Sequence, residues 1–198
     1  QPGEPLPAIW RGWLPDGFAA AGPHLGGEEK AVSHWNETYD ALAGCYDDMT
    51  EDVNYPGWAD FLEKLFSRGK HPVHTVLDLA CGTGTMSFLL AARGYELIGV
   101  DFSPEMLAIA AEKTLEGEGE PPIFLCQPME KLDLYGTVDA CVCLLDSVNH
   151  ITQPGKLRRA FERVRLFLEP GGLFVFDVHT PEHLAGVDGG IFLDETED

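Results

Sequence analysis

Two carboxylates and two glycines carry the most legible chemistry in this sequence. Asp78 ends a short β-forming run and leads into Ala80-Cys81-Gly82-Thr83-Gly84, where glycine at alternate positions lets the backbone approach a ligand that a Cβ would block. The apolar pattern Met86, Phe88, Leu89, Leu90 then starts a helix, whose first N–H groups favour acceptors. Asp101 ends the next apolar run, Leu97-Ile98-Gly99-Val100, and is placed to hydrogen-bond a ribose. Such a turn holds a nucleotide-like cofactor. The dinucleotide fingerprint is incomplete, because Ser87 stands where its third glycine belongs. A phosphate-cradling loop needs Gly-Lys, and no Lys occurs from Val73 to Tyr95. Two carboxylates without a basic residue suit a cationic nucleoside that carries no phosphate.

A second polar group follows a later apolar run, in Leu144-Leu145-Asp146-Ser147-Val148-Asn149-His150. Open α/β sheets bind ligands at the carboxyl ends of their strands, so Asp146 could hold a cationic amine and His150 could take a proton near neutral pH. Alternatively, Asp146 and Asn149 only cap a turn. His179 and His183 have the i, i+4 spacing of a metal pair, but Thr180-Pro181 places His179 before any helix begins. No metal site is expected. Cys45, Cys81, Cys126, Cys141 and Cys143 form no CxxC pair, and most lie in or beside apolar runs, which reads as buried thiols in a reducing compartment.

These groups need elements to position them. Strands are predicted at 75–79, 96–100, 123–126, 138–144 and 173–178, and helices at 85–93 and from Ser103-Pro104-Glu105 to 115. Another helix opens at Pro154 and stops at Pro170-Gly171-Gly172, while 117–122 is a turn. Gly94 ends the first of these helices. Strands alternating with helices give an α/β fold with a parallel sheet and right-handed crossovers. Ahead of the sheet, Ser33 caps a helix carrying Trp35, Tyr39, Leu42 and Tyr46. Trp58, Phe61, Leu62, Leu65 and Phe66 then form the apolar stripe of a second helix, ended by Gly69. These two helices suit a lid.

Residues 1–30 are rich in proline and glycine and read as an irregular lead-in, although Trp10, Trp13, Leu14 and Phe18 could pack on a neighbouring surface or form a loosely docked tail. The boundaries expected are 1–30 for this lead-in, 31–70 for the helical cap, 71–180 for the core and 181–198 for an incomplete C-terminal segment. A net charge of −20 argues against a nucleic-acid groove. The basic cluster Arg158, Arg159, Arg163 and Arg165 reads as a solvated helix face. The absence of a signal peptide and of a long apolar run makes the cytoplasm the default location, with no membrane partner.

The segments VLDLACGTG, GVDFSPEML and VDACVCLLDSVNHI resemble the cofactor motifs of class I S-adenosylmethionine-dependent methyltransferases. The run YDDMTEDVNYPGWADF resembles the N-terminal cap of a bacterial small-molecule branch, and the likeness spans roughly residues 33–198. It implies a Rossmann-like, doubly wound sheet in the order 3-2-1-4-5, with S-adenosylmethionine as cofactor and a small-molecule methyl acceptor. By resemblance, Asp78 orients the methionine amino group through water and the backbone of Ala80, Cys81, Gly82, Thr83 and Gly84 touches the amino-acid part. Asp101 takes the ribose hydroxyls, while Phe102 and Met106 flank the adenine or are ordinary core residues. Pro128 stands where the family carries an acid for the adenine amino group, which leaves Gln127 as the nearest substitute and Met129 as a lining residue. Tyr46, Tyr55 and Leu144 complete the cofactor contacts, the tyrosines serving equally as core residues, and Asp146 and His150 face the transferred methyl. A catalytically silent binding domain and an NAD-dependent oxidoreductase are the rival readings. The family's last two strands have no counterpart beyond the weak run Ile191-Phe192-Leu193, so strand 173–178 would lie at an open edge. Either the chain is part of a longer polypeptide or a homodimer covers that edge.

Overall fold

The computed structural model describes residues 42–115 and 120–180. The lead-in aromatics, the Ser33 cap with Trp35 and Tyr39, turn residues 116–119, His183 and the run at 191–193 lie outside the described residues. The first described segment is not one continuous helix. A 3₁₀ turn, Ala43–Cys45, passes into the single helical turn α1, Tyr46–Met49. Helix α2, Tyr55–Phe66, follows, and the side chain of its N-cap Asn54 accepts from the Gly57 N–H at 3.0 Å. Its inward face differs from the predicted stripe. Ala59 and Leu62 are wholly buried, whereas Phe61 is 49% exposed and meets Trp58 edge to face.

The alternating part contains β1 (Thr75–Leu79), α3 (Thr85–Ala92), β2 (Glu96–Asp101), α4 (Pro104–Thr114), β3 (Ile123–Cys126), β4 (Val138–Cys143), α5 (Pro154–Phe167) and β5 (Leu168–Phe176). All strand pairs are parallel and their order is β3-β2-β1-β4-β5. Asp78 lies opposite Gly99 on one side and Val142 on the other. Strand periodicity separates the two faces. Val76, Ala140 and Val142 pack with Leu62 and Phe66 of α2 and Leu90 of α3, while Leu77, Leu79, Cys141 and Cys143 pack with Val164 of α5. Each fully buried aliphatic side chain contributes about 1.5–3 kcal/mol of transfer free energy. The sheet is thereby held rigid from both sides. Arg93, just after α3, bridges back to α2 through Asp60 and Glu63 at 2.8 and 2.6 Å. In α4 the Ser103 hydroxyl accepts from the Met106 N–H at 3.2 Å, which confirms the predicted cap.

One boundary differs from its prediction. Helix α5 ends at Phe167, and Leu168 already pairs with Val138, before the Pro-Gly-Gly signal. The pairing then skips from Leu168 to Leu173 against Ala140, leaving 169–172 as a bulge. Gly171 supplies φ +94° there, and a Cβ on Gly172 would stand 2.6 Å from the Asp139 carbonyl oxygen. The two cysteines of β4 are buried, Cys81 is half-buried, and Cys45 and Cys126 are exposed. Cys126 departs from the buried-thiol expectation because β3 is an edge strand. No helix among the described residues is long and apolar enough to cross a membrane.

Candidate active site

A cleft, partly open to solvent, lies at the carboxyl ends of β1 and β4. Its floor is the turn after β1. Ala80 and Cys81 donate their N–H groups to Val100 O at 2.7 and 3.1 Å, so the chain leaves β1 while still tied to β2. The backbone is left-handed at Ala80 (φ 64°), Gly82 (54°) and Gly84 (81°). The two glycines meet different surroundings. Among the described residues a Cβ on Gly82 would meet only the Tyr46 ring, at 3.6 Å, whereas one on Gly84 would lie 2.9 Å from Phe124 and 3.1 Å from Phe88. Gly84 therefore serves backbone conformation and packing, and it does not line the cleft.

The carboxylates lie beneath this turn. Asp78 is 3% exposed and accepts from the Ser87 hydroxyl at 2.6 Å. Burial pushes its carboxyl up to about 6; the Ser87 hydrogen bond opposes that shift and the nearby Asp101 charge adds to it. Ser87, the residue that broke the dinucleotide pattern, is thus the partner of Asp78. Asp101 accepts from the Gly82 N–H and the Ser103 N–H, both at 2.9 Å, while burial raises its carboxyl as well. It braces the turn from below and is not among the cleft-lining residues.

The walls come from separate elements. Tyr46, Tyr55 and Trp58 come from α1 and α2, Thr85 and Met86 from α3, and Leu144, Leu145 and Ser147 from the segment after β4. Of the predicted residues, Tyr46, Tyr55, Asp78, Ala80, Cys81, Gly82, Thr83 and Leu144 meet here. Among the described residues neither Lys nor Arg lines the cleft. Burial pushes the Cys81 thiol far above its ordinary range, so it stays protonated.

The adenine-side candidates fall elsewhere. Met106 is 2% exposed in the core, and Phe102 and Met129 are half-buried outside the lining. Gln127 is occupied, since its side chain accepts from the Asp133 N–H at 2.8 Å and donates to Asp133 O at 3.1 Å. Tertiary contacts of this kind leave no mark in a strand–turn pattern.

Asp146 and His150 lie just outside the lining, beyond Leu145 and around Ser147. Leu145 and Asp146 are both left-handed, with φ 54° and 51°. Asp177, which the sequence pattern did not single out, accepts the Asp146 N–H at 2.8 Å, and its other carboxylate oxygen is buried. His179 stands 3.1 Å from the Asp146 carboxylate, closer than His150 at 4.0 Å. The i, i+4 spacing of His179 and His183 carries no trace of this pairing. Among the described residues no group of three or more His, Cys, Asp or Glu is placed to hold a metal ion.

A family model described as a methyltransferase domain matches residues 76–172. The chain is 35% identical over 163 residues to a putative methyltransferase, YqeM, of Bacillus subtilis (strain 168), covering 81% of this chain and 63% of that protein. It is 32% identical over 120 residues to the glycine N-methyltransferase of Mus musculus, covering 54% of this chain and 41% of that protein. The crystal structure of an S-adenosylmethionine-dependent methyltransferase from Clostridium acetobutylicum ATCC 824 matches with a TM-score of 0.69 at 31% identity, over 81% of this chain and 65% of that one. The chain thus spans less than two thirds of the length of each of these relatives.

Proposed function

Because the chain belongs to the class I S-adenosylmethionine-dependent methyltransferases, we propose that its cleft binds S-adenosylmethionine and directs methyl transfer to a small amine. The observation that carries this reading is the donor set: a left-handed glycine turn over two buried carboxylates, walled by aromatics, with no Lys or Arg among the described lining residues to meet a phosphate. When bound, the cofactor supplies a methyl group already activated on a sulfonium sulfur. This chain then has to bind, align and move a proton. Asp78 draws the cationic end of the ligand toward β1, the Ala80 to Thr83 backbone receives its amino-acid part, and Tyr46, Tyr55 and Trp58 exclude water. An amine acceptor fits the carboxylate of Asp146, and the imidazole beside that carboxylate accepts the proton the amine must lose before it can attack. His179 is the nearer imidazole and His150 the alternative. The glycine N-methyltransferases among the relatives make amines the first acceptors to try. A panel of amino acids and amino sugars, followed by S-adenosylhomocysteine release, tests the reading. Turnover confined to amines supports it, and turnover only with carboxylate or hydroxyl acceptors would contradict it.

A further inference from the structure

Asp47, on the single-turn helix α1, reaches three groups at once. One carboxylate oxygen accepts from the Thr83 hydroxyl at 2.6 Å and the Thr85 hydroxyl at 3.1 Å; the other pairs with the Lys113 ammonium of α4 at 2.6 Å. Lys113 also donates to Thr85 at 3.3 Å. Burial raises the Asp47 carboxyl, but Lys113 and the two threonines outweigh it and hold it below the usual range, so the cluster is charged at neutral pH. Thr83 and Thr85 flank Gly84 in the cofactor turn, and Tyr46, beside Asp47, faces Gly82. A four-residue helix has little stability of its own. We infer that Asp47 is a positioning residue, clasping the segment that carries Tyr46 to the glycine turn and to α4, and thereby fixing the cleft wall in its binding geometry.

The inference rests on the cofactor reading above, and its test separates the two. Hydrogen exchange and calorimetric titration with S-adenosylhomocysteine are run on the unaltered protein, Asp47→Asn, Lys113→Met and Lys113→Arg. Charge-assisted bonds of this kind are roughly twice as strong as neutral ones, so Asp47→Asn should speed exchange of the Thr50 amide about tenfold and weaken binding about tenfold. Exchange in β1 should not change. Lys113→Met should show a smaller loss, of about threefold, and Lys113→Arg should restore binding. Unchanged exchange in Asp47→Asn overturns the clasp, and faster exchange with unchanged affinity overturns its positioning role. If the unaltered protein bound no S-adenosylhomocysteine, the cofactor reading would fall, and the exchange data would still decide whether the clasp exists.

Discussion

The turns after β1 and β4 both line the cleft, and both bend through left-handed backbone, but by different means. After β1 the strained positions include two glycines, which adopt φ 54° and 81° at little cost. After β4 the same region is occupied by Leu145 and Asp146, where each left-handed residue costs about 1–3 kcal/mol unless its surroundings impose it. Asp177 imposes it there, by accepting the Asp146 N–H at 2.8 Å. The first turn is therefore written partly in residue types, with Ala80 tied to Val100 and Gly82 to Asp101, whereas the second is written in a contact between residues 31 positions apart.

The sharpest way to break the comparison is to burden the first turn with a side chain. Gly82→Val puts a β-branched residue at φ 54° against Tyr46, and S-adenosylmethionine affinity should fall more than about a hundredfold while the circular dichroism of the sheet persists. Normal binding by this variant would remove the turn from the site. Asp101→Ala comes next. Two backbone N–H groups lose their acceptor, which costs about 2–4 kcal/mol of stability, and affinity should drop at least about tenfold because the Gly82 end of the turn is released. An unaltered melting temperature would show that the brace carries no stability.

Asp177→Ala tests the other turn. It should lower stability by about 1–3 kcal/mol and slow methyl transfer, yet leave S-adenosylhomocysteine affinity within about threefold, because its contact lies on the β4 side. A loss of cofactor binding as large as that of Asp101→Ala would abolish the distinction between the two turns.

A pH dependence bears on the turn after β1 as well. The Asp78 carboxyl is raised from 3.8 to about 6 in the fold, so the folded protein holds this proton more tightly than the unfolded chain. The sign follows: its contribution to stability is most favourable below about pH 4 and declines by about 3 kcal/mol as pH rises to about 6. A cationic ligand favours the ionised form, so S-adenosylmethionine affinity should rise severalfold between about pH 5 and 7. In Asp78→Asn both trends should flatten, as melting and titration across that range would reveal.

Much of the scaffold was legible because its signals are local. The strand runs, the Ser103 cap and the parallel order followed from periodicity, cap chemistry and resemblance, and each reappears in the structure. What escaped depends on partners distant in the chain. The start of β5 at Leu168 is set by pairing with Val138, and no residue type within Glu169-Pro170-Gly171-Gly172 announces that bulge as part of a strand. Asp47 looked like one acid among several in YDDMTED, and only the fold brings it to Thr83, Thr85 and Lys113. Gln127, the nearest substitute for the adenine contact, is a shorter-range case: its amide is engaged by the backbone of Asp133, six residues on.

The central claim is that an acidic glycine turn selects a cationic, phosphate-free nucleoside. Calorimetric titration of the protein with S-adenosylmethionine, S-adenosylhomocysteine and NAD at neutral pH tests it most directly. The account predicts saturable binding of the first two with one ligand per chain and no heat from NAD beyond dilution. Saturable NAD binding, or the failure of both adenosyl ligands to bind, would contradict it.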